Sequence, residues 1–307
     1  MFKILQDNLQ DFIELMLLPA LAVVLPWSLC FRLFRRLARL SCCYPRQTTA
    51  MLNGAQSVGL AQDSRAWCSG YRLVQLVDHA DLYLSLFRSD RWLTRYLTVQ
   101  GDAWPKQDAP CLAFTFHWGA GLWIFRYLRR QGIQAACLFR HSDSAMLAGQ
   151  PLRRAYYRWR VWEVERGGNT PAVFTGHGNI SNLLDTLKQG RTVVALPDVP
   201  PEGSMKCLPV CLLGRQAWLP SGLLRLAVAR KIPVMAYTFG FNRKTGQRIL
   251  NIKGPLPNHD EQSLINALNQ LLIEALENDP TAWHFWAFVQ QFLRQPNKAP
   301  ETTGREA

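Results

Sequence analysis

Short apolar runs that alternate with helical segments constrain the fold of this chain more than any other feature of its sequence. After about Pro110 the runs are Cys111–Phe116, Ala135–Phe139, Thr192–Leu196 and Val234–Phe239. Apolar residues spaced three and four apart predict helices at Gly121–Arg130, Ile180–Lys188, Gly222–Arg230 and Glu261–Glu277. Because continuous apolar strands are buried on both faces, the pattern predicts an α/β fold with a mixed central sheet flanked by helices.

The first 40 residues are predicted to form a separate unit. An apolar stretch, Leu15–Leu33, is interrupted by Pro19 and Pro26, and three arginines follow it between Arg35 and Arg39. A spanning helix needs about 20 mostly apolar residues, so this stretch just reaches that length. A signal peptide carries its positive charge before the apolar run, not after it. We therefore expect a hydrophobic membrane-anchoring helix, spanning or interfacial, with a buried core helix as the alternative.

The remaining chain divides into two parts. Residues from about Thr48 to Leu97 have helical spacing and precede the alternating segment, so we expect one domain over residues 41–295. A chain of 307 residues is long enough for one large α/β domain with a small appendage. Residues 296–307 are polar and contain proline, which predicts a disordered tail.

Charge and cysteine content limit the classes of partner. Lys and Arg number 35 against 22 Asp and Glu, a formal charge of +13, which favours anionic partners. The basic residues are scattered, and no zinc-finger spacing, basic heptad region or RNP-like run occurs, so nucleic acid is not expected. The eight cysteines include no CxxC pair. We expect reduced thiols and no metal site.

The sequence FTFHWGAGLW, residues 114–123, carries the first candidate site. His117 lies where a buried strand is predicted to end and a helix to begin, and Gly119 and Gly121 permit close approach of a substrate to the backbone. Sites in α/β proteins collect at the carboxyl ends of strands, and a helix N-terminus there suits an oxyanion or a phosphate. A histidine at this place can take a proton from a hydroxyl nucleophile, although a structural role is the alternative.

A second candidate region is Leu187–Leu224. The strand Thr192–Leu196 runs into Asp198, and Arg215 follows in a Gly-Arg turn. The functional interpretation places Asp198 and Arg215 at the same sheet edge as His117. The structural alternatives are a turn or capping role for the aspartate and a solvated loop position for the arginine.

Five segments in order resemble the bacterial lipid A late acyltransferases, within the wider glycerophosphate and lysophospholipid acyltransferase superfamily. They are LPWSLCFRLFRRLARL, YLTVQGDAWPKQDAPCLAFTFHWGAGLW, LKQGRTVVALPDVP, GRQAWLPSGLLRLAVARKIPVMAYTF and DPTAWHFWAFVQQF, the last of which is similar to the family's closing Pro-x-x-Trp aromatic segment. The resemblance spans nearly the whole chain.

The resemblance implies an acyltransferase of lipid A and lipopolysaccharide biosynthesis. It implies a donor thioester of acyl carrier protein or coenzyme A, a lipid or glycolipid hydroxyl as acceptor, no resident cofactor, and a location at the cytoplasmic face of the cell inner membrane. His117 occupies the position of the catalytic general base. Gly119, Gly121 and Arg215 are then candidates for substrate binding, with Arg215 suited to phosphates or to an acidic carrier.

The chain departs from the family's His-x4-Asp/Glu motif, because the position of the acid is Leu122. A partner that orients the histidine matters greatly in such catalysis. Asp198 is the first candidate to replace it, followed by Glu163 or Glu165. A backbone carbonyl holding the imidazole is a second possibility. The third is a catalytically silent, membrane-associated protein that binds a lipid or a carrier.

Overall fold

A seven-stranded sheet forms the centre of the computed structural model, which describes residues 2–105, 109–140, 149–175, 179–203 and 205–295. The strands are β1 (Leu97–Gly101), β2 (Leu112–Phe114), β3 (Ala135–Arg140), β4 (Val173–Thr175), β5 (Thr192–Ala195), β6 (Cys207–Leu212), β7 (Arg215–Pro220), β8 (Val234–Phe241) and β9 (Arg248–Lys253). The order in the sheet is β1-β9-β8-β2-β5-β3-β4, and β6 and β7 form a separate antiparallel hairpin. All pairs within the sheet are parallel except β8–β9.

Helices surround the sheet. They are α1 (Phe2–Asp11), α2 (Leu18–Val24), α3 (Trp27–Leu37), α4 (Pro45–Ser57), α5 (Ser64–Phe87), α6 (Asp90–Arg95), α7 (Ile124–Arg130), α8 (Pro151–Gly168), α9 (Asn179–Lys188), α10 (Gly222–Ala229), α11 (Glu261–Asn278) and α12 (Val289–Leu293). Helix α8 packs on β3, and α9 packs on β4 and β5. The predicted mixed α/β fold with helices around a central sheet is confirmed, and the parallel pairs dominate the sheet.

The N-terminal segment consists of short helices. A π-helical turn, Phe12–Leu17, joins α1 to α2, and α2 ends before Leu25, which has an extended backbone. Pro26 accounts for this break, because a residue before proline is disfavoured in the α conformation. Helix α2 packs against α5. In the part of the chain that the structure describes, no helix is long and apolar enough to cross a membrane. The domain boundary near residue 40 stays a prediction, and residues 296–307 lie outside the described residues.

A buried ion pair ties the N-terminal helices to the sheet. Arg248 on β9 and Asp81 on α5 are both fully buried, and the guanidinium pairs with the carboxylate through two nitrogens. The guanidinium carbon lies 4.1 Å from the ring centre of Trp27 and 4.5 Å from that of Trp123. The Trp123 indole also donates to the Asp81 carbonyl at 3.1 Å. Because Trp123 follows β2 closely, this cluster fixes the segment that carries His117.

Candidate functional site

Two neighbouring parallel strands carry the central pair of the site. Strands β2 and β5 are paired in the register Phe114↔Ala195. His117 and Asp198 each come three residues after those paired positions. Because the carboxyl ends of parallel strands meet at one edge of a sheet, equal offsets bring the two side chains together.

The His117 imidazole is held by the Asp198 carboxylate. Nδ1 of His117 lies 3.0 Å from Oδ1 of Asp198, which is fully buried, whereas 31% of the histidine side chain is exposed. An ionised carboxylate only accepts hydrogen bonds, so Nδ1 carries the proton in the neutral ring. Nε2 therefore has the free lone pair and can accept a proton from a substrate.

Three donors converge on the Asp198 carboxylate. Besides the imidazole, the His117 backbone N–H donates to Oδ2 at 2.8 Å, and Nε1–H of Trp283 donates to the same oxygen at 2.9 Å. These bonds compensate the carboxylate for its loss of water. They also prevent it from rotating, which fixes the plane of the imidazole that it holds.

The aromatic segment around Trp283 packs against the chain that follows β2 and is hydrogen-bonded to it. The His117 carbonyl accepts from the His284 backbone N–H, and Gly119 N–H donates to the Ala282 carbonyl, both at 2.8 Å. The ring of Phe285 stacks on the His117 imidazole with centres 3.9 Å apart. Gly119 has φ +59°, and a Cβ there would lie 2.4 Å from the Phe239 carbonyl oxygen. Glycine is therefore required for this close approach.

His284 is a second, half-buried histidine at the site. Its Nε2 lies 2.9 Å from the Gly119 carbonyl, and its Nδ1 lies 2.9 Å from the Gln75 amide nitrogen. The carbonyl can only accept, so Nε2 donates and Nδ1 accepts from the amide. Burial lowers the pKa of His284, which favours the neutral ring in this arrangement. His284 thus holds the backbone beside His117.

Two adjoining cavities open at this end of the sheet. One, of about 290 Å³, has walls that include both histidines, Gly119 and Gly121. We call it the histidine cavity. The other, of about 550 Å³, is lined mainly by apolar groups from β3, the chain that follows β5, the end of β7 and the start of α10, and we call it the apolar cavity. The two share the side chains Leu138, Leu196 and Val199. A polar reacting centre therefore lies next to space suited to a hydrocarbon chain.

The structure places the other predicted site residues differently. Gly119 and Gly121 border the histidine cavity, but the N–H groups of Gly119 and Ala120 donate to the Ala282 and Phe239 carbonyls. Those two donors are therefore not available to a ligand. Arg215 is exposed at the start of β7 and belongs to the wall of neither cavity among the described residues. Its role in substrate binding stays a prediction.

The motif position of the acid is an apolar wall. Leu122 is buried and borders the histidine cavity. Glu163 bonds to Ser85 and Arg166, and Glu165 accepts from the Ala172 backbone. Of the three candidate replacement acids, it is Asp198 that bonds to the His117 ring. Its catalytic role stays a prediction.

Sequence reasoning missed the groups that support this pair. Trp283 is the tryptophan of the Pro-x-x-Trp segment, and Phe285 belongs to the same aromatic run. The available signal in the sequence was that this segment is one of the five that carry the family resemblance. Arg160, which borders the histidine cavity, gave no such signal. Within the described ranges, no cluster of three or more His, Cys, Asp or Glu side chains could hold a metal ion.

The greater part of the chain matches one known family. A family model described as bacterial lipid A biosynthesis acyltransferase matches residues 108–294. The matched range contains both strands of the site and the aromatic segment that supports Asp198. No curated protein sequence matches the chain significantly.

Proposed function

Since the chain belongs to the bacterial lipid A biosynthesis acyltransferase family, we propose that it moves a fatty acyl chain from a thioester to a hydroxyl of a lipid A-like glycolipid or another lipid. The donor is acyl carrier protein or coenzyme A carrying the chain. The observation that carries this proposal is the His117–Asp198 pair, whose imidazole borders a cavity adjoining a larger apolar one. Family membership supports the reaction class, and the pair supplies the base that it requires.

The proposed chemistry is direct transfer with His117 as general base. Nε2 removes the proton of the acceptor hydroxyl while the hydroxyl oxygen attacks the thioester carbonyl carbon. The tetrahedral intermediate then collapses and the carbon–sulfur bond breaks. The leaving thiolate takes the proton from Nε2, which restores the neutral ring. Asp198 holds the tautomer and stabilises the imidazolium formed between these steps. The thioester is a substrate, and no resident cofactor is used.

The apolar cavity is proposed to hold the acyl chain. Its walls include Leu196, Met205, Pro220, Leu223 and Leu224, so burying methylene groups there is favourable by about 0.8 kcal/mol each. It adjoins the histidine cavity, which would place the thioester end of the chain near His117. The net charge of +13 suits an acidic carrier protein or anionic lipid as partner.

We propose that the protein lies on the cytoplasmic face of the inner membrane through its N-terminal helices. Leu5, Leu9 and Phe12 are 69%, 58% and 47% exposed and follow one another at spacings of four and three residues, so they share one helical face. Exposed arginines on and after α3, among them Arg32 and Arg35, would contact anionic head groups. These features support an interfacial anchor.

A vesicle-binding measurement tests the anchor. The triple variant Leu5→Ser/Leu9→Ser/Phe12→Ser is expected to bind vesicles of phosphatidylethanolamine and phosphatidylglycerol at least about 10-fold more weakly, because three apolar side chains no longer enter the interface. Sedimentation with the vesicles gives the partition coefficient. Ile180→Ser, which removes a 66% exposed apolar side chain on α9, is the matched control. Equal binding by the triple variant and wild type would contradict the proposal.

The transfer reaction is tested with purified protein and radiolabelled lauroyl-acyl carrier protein or lauroyl-coenzyme A. Label is expected to appear in a lipid of a total bacterial lipid extract, in a linkage that mild alkali cleaves as an ester. Mass spectrometry of the labelled band then identifies the acceptor. The alternative function, a catalytically silent protein that binds a lipid or a carrier, predicts saturable binding of the lauroyl donors with no label in any lipid. That result with both donors would overturn the proposed transfer.

A further inference from the structure

A second ion pair lies in the wall of the histidine cavity. Arg160 on α8 donates to both carboxylate oxygens of Asp78 on α5, at 2.8 and 2.9 Å. Both side chains border the cavity together with His117. The proposed proton transfers use neither of them. A bidentate carboxylate fixes the guanidinium in one orientation.

Arg160 is the partner that remains accessible. Its side chain is 29% exposed against 12% for that of Asp78. Of the five N–H donors of a guanidinium, two are used by Asp78 in the described structure. Burial would raise the pKa of Asp78, but the charge of Arg160 outweighs it and holds that pKa below its usual range. The pair is therefore ionised at neutral pH. Arg160 is also the only Lys or Arg among the described residues of this wall.

The proposed reaction needs a group in this cavity that stabilises negative charge. When a hydroxyl attacks a thioester, the carbonyl oxygen becomes an oxyanion, and preorganised donors that meet it are usually the largest single contribution to catalysis. The backbone donors of Gly119 and Ala120, directly after His117, are already bonded to protein carbonyls. The Arg160 guanidinium, held in place by Asp78 in the wall of the same cavity, can meet the requirement in their place.

We propose that Arg160, oriented by Asp78, contacts the thioester carbonyl oxygen and stabilises the oxyanion of acyl transfer. As the hydroxyl oxygen bonds to the carbonyl carbon and its proton passes to Nε2 of His117, the carbonyl π pair moves onto the oxygen facing Arg160. That electron pair re-forms the carbonyl π bond when the carbon–sulfur bond breaks, and the leaving thiolate takes the proton from Nε2. This inference rests on the proposed transfer and assigns the group that stabilises its transition state.

This role is tested by steady-state kinetics. The substrates are lauroyl-coenzyme A and the acceptor lipid that the wild-type protein is found to use. Arg160→Gln is expected to lower kcat about 10²–10³-fold with KM for the donor changed less than about threefold, because the interaction strengthens only as charge develops. Arg160→Lys keeps the charge but loses the planar fork, so an intermediate kcat is expected. Arg158→Gln removes an exposed arginine from the same helix and is expected to behave as wild type.

The variants also separate folding from catalysis. Arg160→Gln leaves the Asp78 carboxylate with one amide donor. The double variant Asp78→Asn/Arg160→Gln, which has no charge at either position, is therefore measured beside it. Circular dichroism gives the folded fraction of each variant, and kcat is expressed per folded molecule. Both are expected to share the low kcat. A kcat within threefold of wild type in the double variant would overturn the inference. An unchanged kcat with a raised KM would also overturn it, because that result would indicate an arginine that binds a ground-state anion such as phosphate. An inactive wild type would instead refute the proposed function.

Discussion

His117→Ala is expected to lower kcat for acyl transfer by about 10²–10⁴-fold, because among the described residues that line the histidine cavity it is His117 that offers an imidazole nitrogen without a hydrogen-bond partner to take the acceptor proton. Within the His117 ring Nδ1 is hydrogen-bonded to Asp198, so Nε2 is the nitrogen that acts as base, and the variant removes it. His284 cannot substitute, since Nε2 donates to the Gly119 carbonyl and Nδ1 accepts from Gln75. The measurement is the initial rate of ester formation from labelled lauroyl-coenzyme A.

A control histidine distinguishes this effect from general damage. His259 is 71% exposed beside the first turn of α11, and His259→Ala is expected to leave the rate unchanged. The loss of rate in His117→Ala should accompany an unchanged circular dichroism spectrum, because the side chain is partly exposed. A His117→Ala protein that kept more than about a tenth of the wild-type rate would show that proton transfer occurs elsewhere.

Asp198→Asn is expected to lower kcat about 10³–10⁴-fold although it hardly changes the volume of the side chain. The carboxylate accepts from three N–H groups, two of them on Oδ2. An asparagine has one acceptor oxygen and one NH₂ group, so in either orientation a donor faces a donor. The imidazole then loses its Nδ1–H tautomer or its position, and a misplaced tautomer costs a histidine base most of its rate.

Trp283→Phe is the graded companion of that variant. It removes one of the two hydrogen bonds to Oδ2 and keeps an aromatic ring. A hydrogen bond to a charged group contributes about 1.5–3 kcal/mol. We therefore expect a loss of about 10-fold in kcat, which corresponds to the lower end of that range. ¹⁵N NMR of labelled histidine reports the tautomer of His117 directly. A predominant Nδ1–H signal in wild type that persists in Asp198→Asn, together with a rate within threefold of wild type, would contradict the role of Asp198.

The fold could be predicted where burial leaves a simple pattern. Strands β2, β3, β5 and β8 lie within or around the apolar runs, because buried parallel strands need apolar side chains on both faces. Strand β1 was missed because its residues are mostly exposed. Strand β9 was missed because Arg248 occupies a fully buried position, and only the distant Asp81 makes a charge tolerable there.

Helix α8 was missed for a related reason. Its sequence carries charged residues around the whole helix, so no apolar face stands out. In the structure those charges are used in pairs, Arg160 with Asp78 and Arg166 with Glu163. Such pairs join residues 82 positions apart in the first case and three in the second. Periodicity reports only which face is apolar, and it is silent about a helix whose contacts are ionic.

By itself, the sequence determined that buried strands alternate with helices and that a histidine ends the first of them, because apolar burial and strand ends are local features of the chain. It left three acids open as partners of His117. Only the tertiary structure brought Asp198 to the ring, through the parallel pairing of β2 and β5, and turned Trp283 towards its carboxylate. The physical reason is that hydrogen bonds across 81 and 85 residues depend on strand register and packing, which no local pattern of residues encodes.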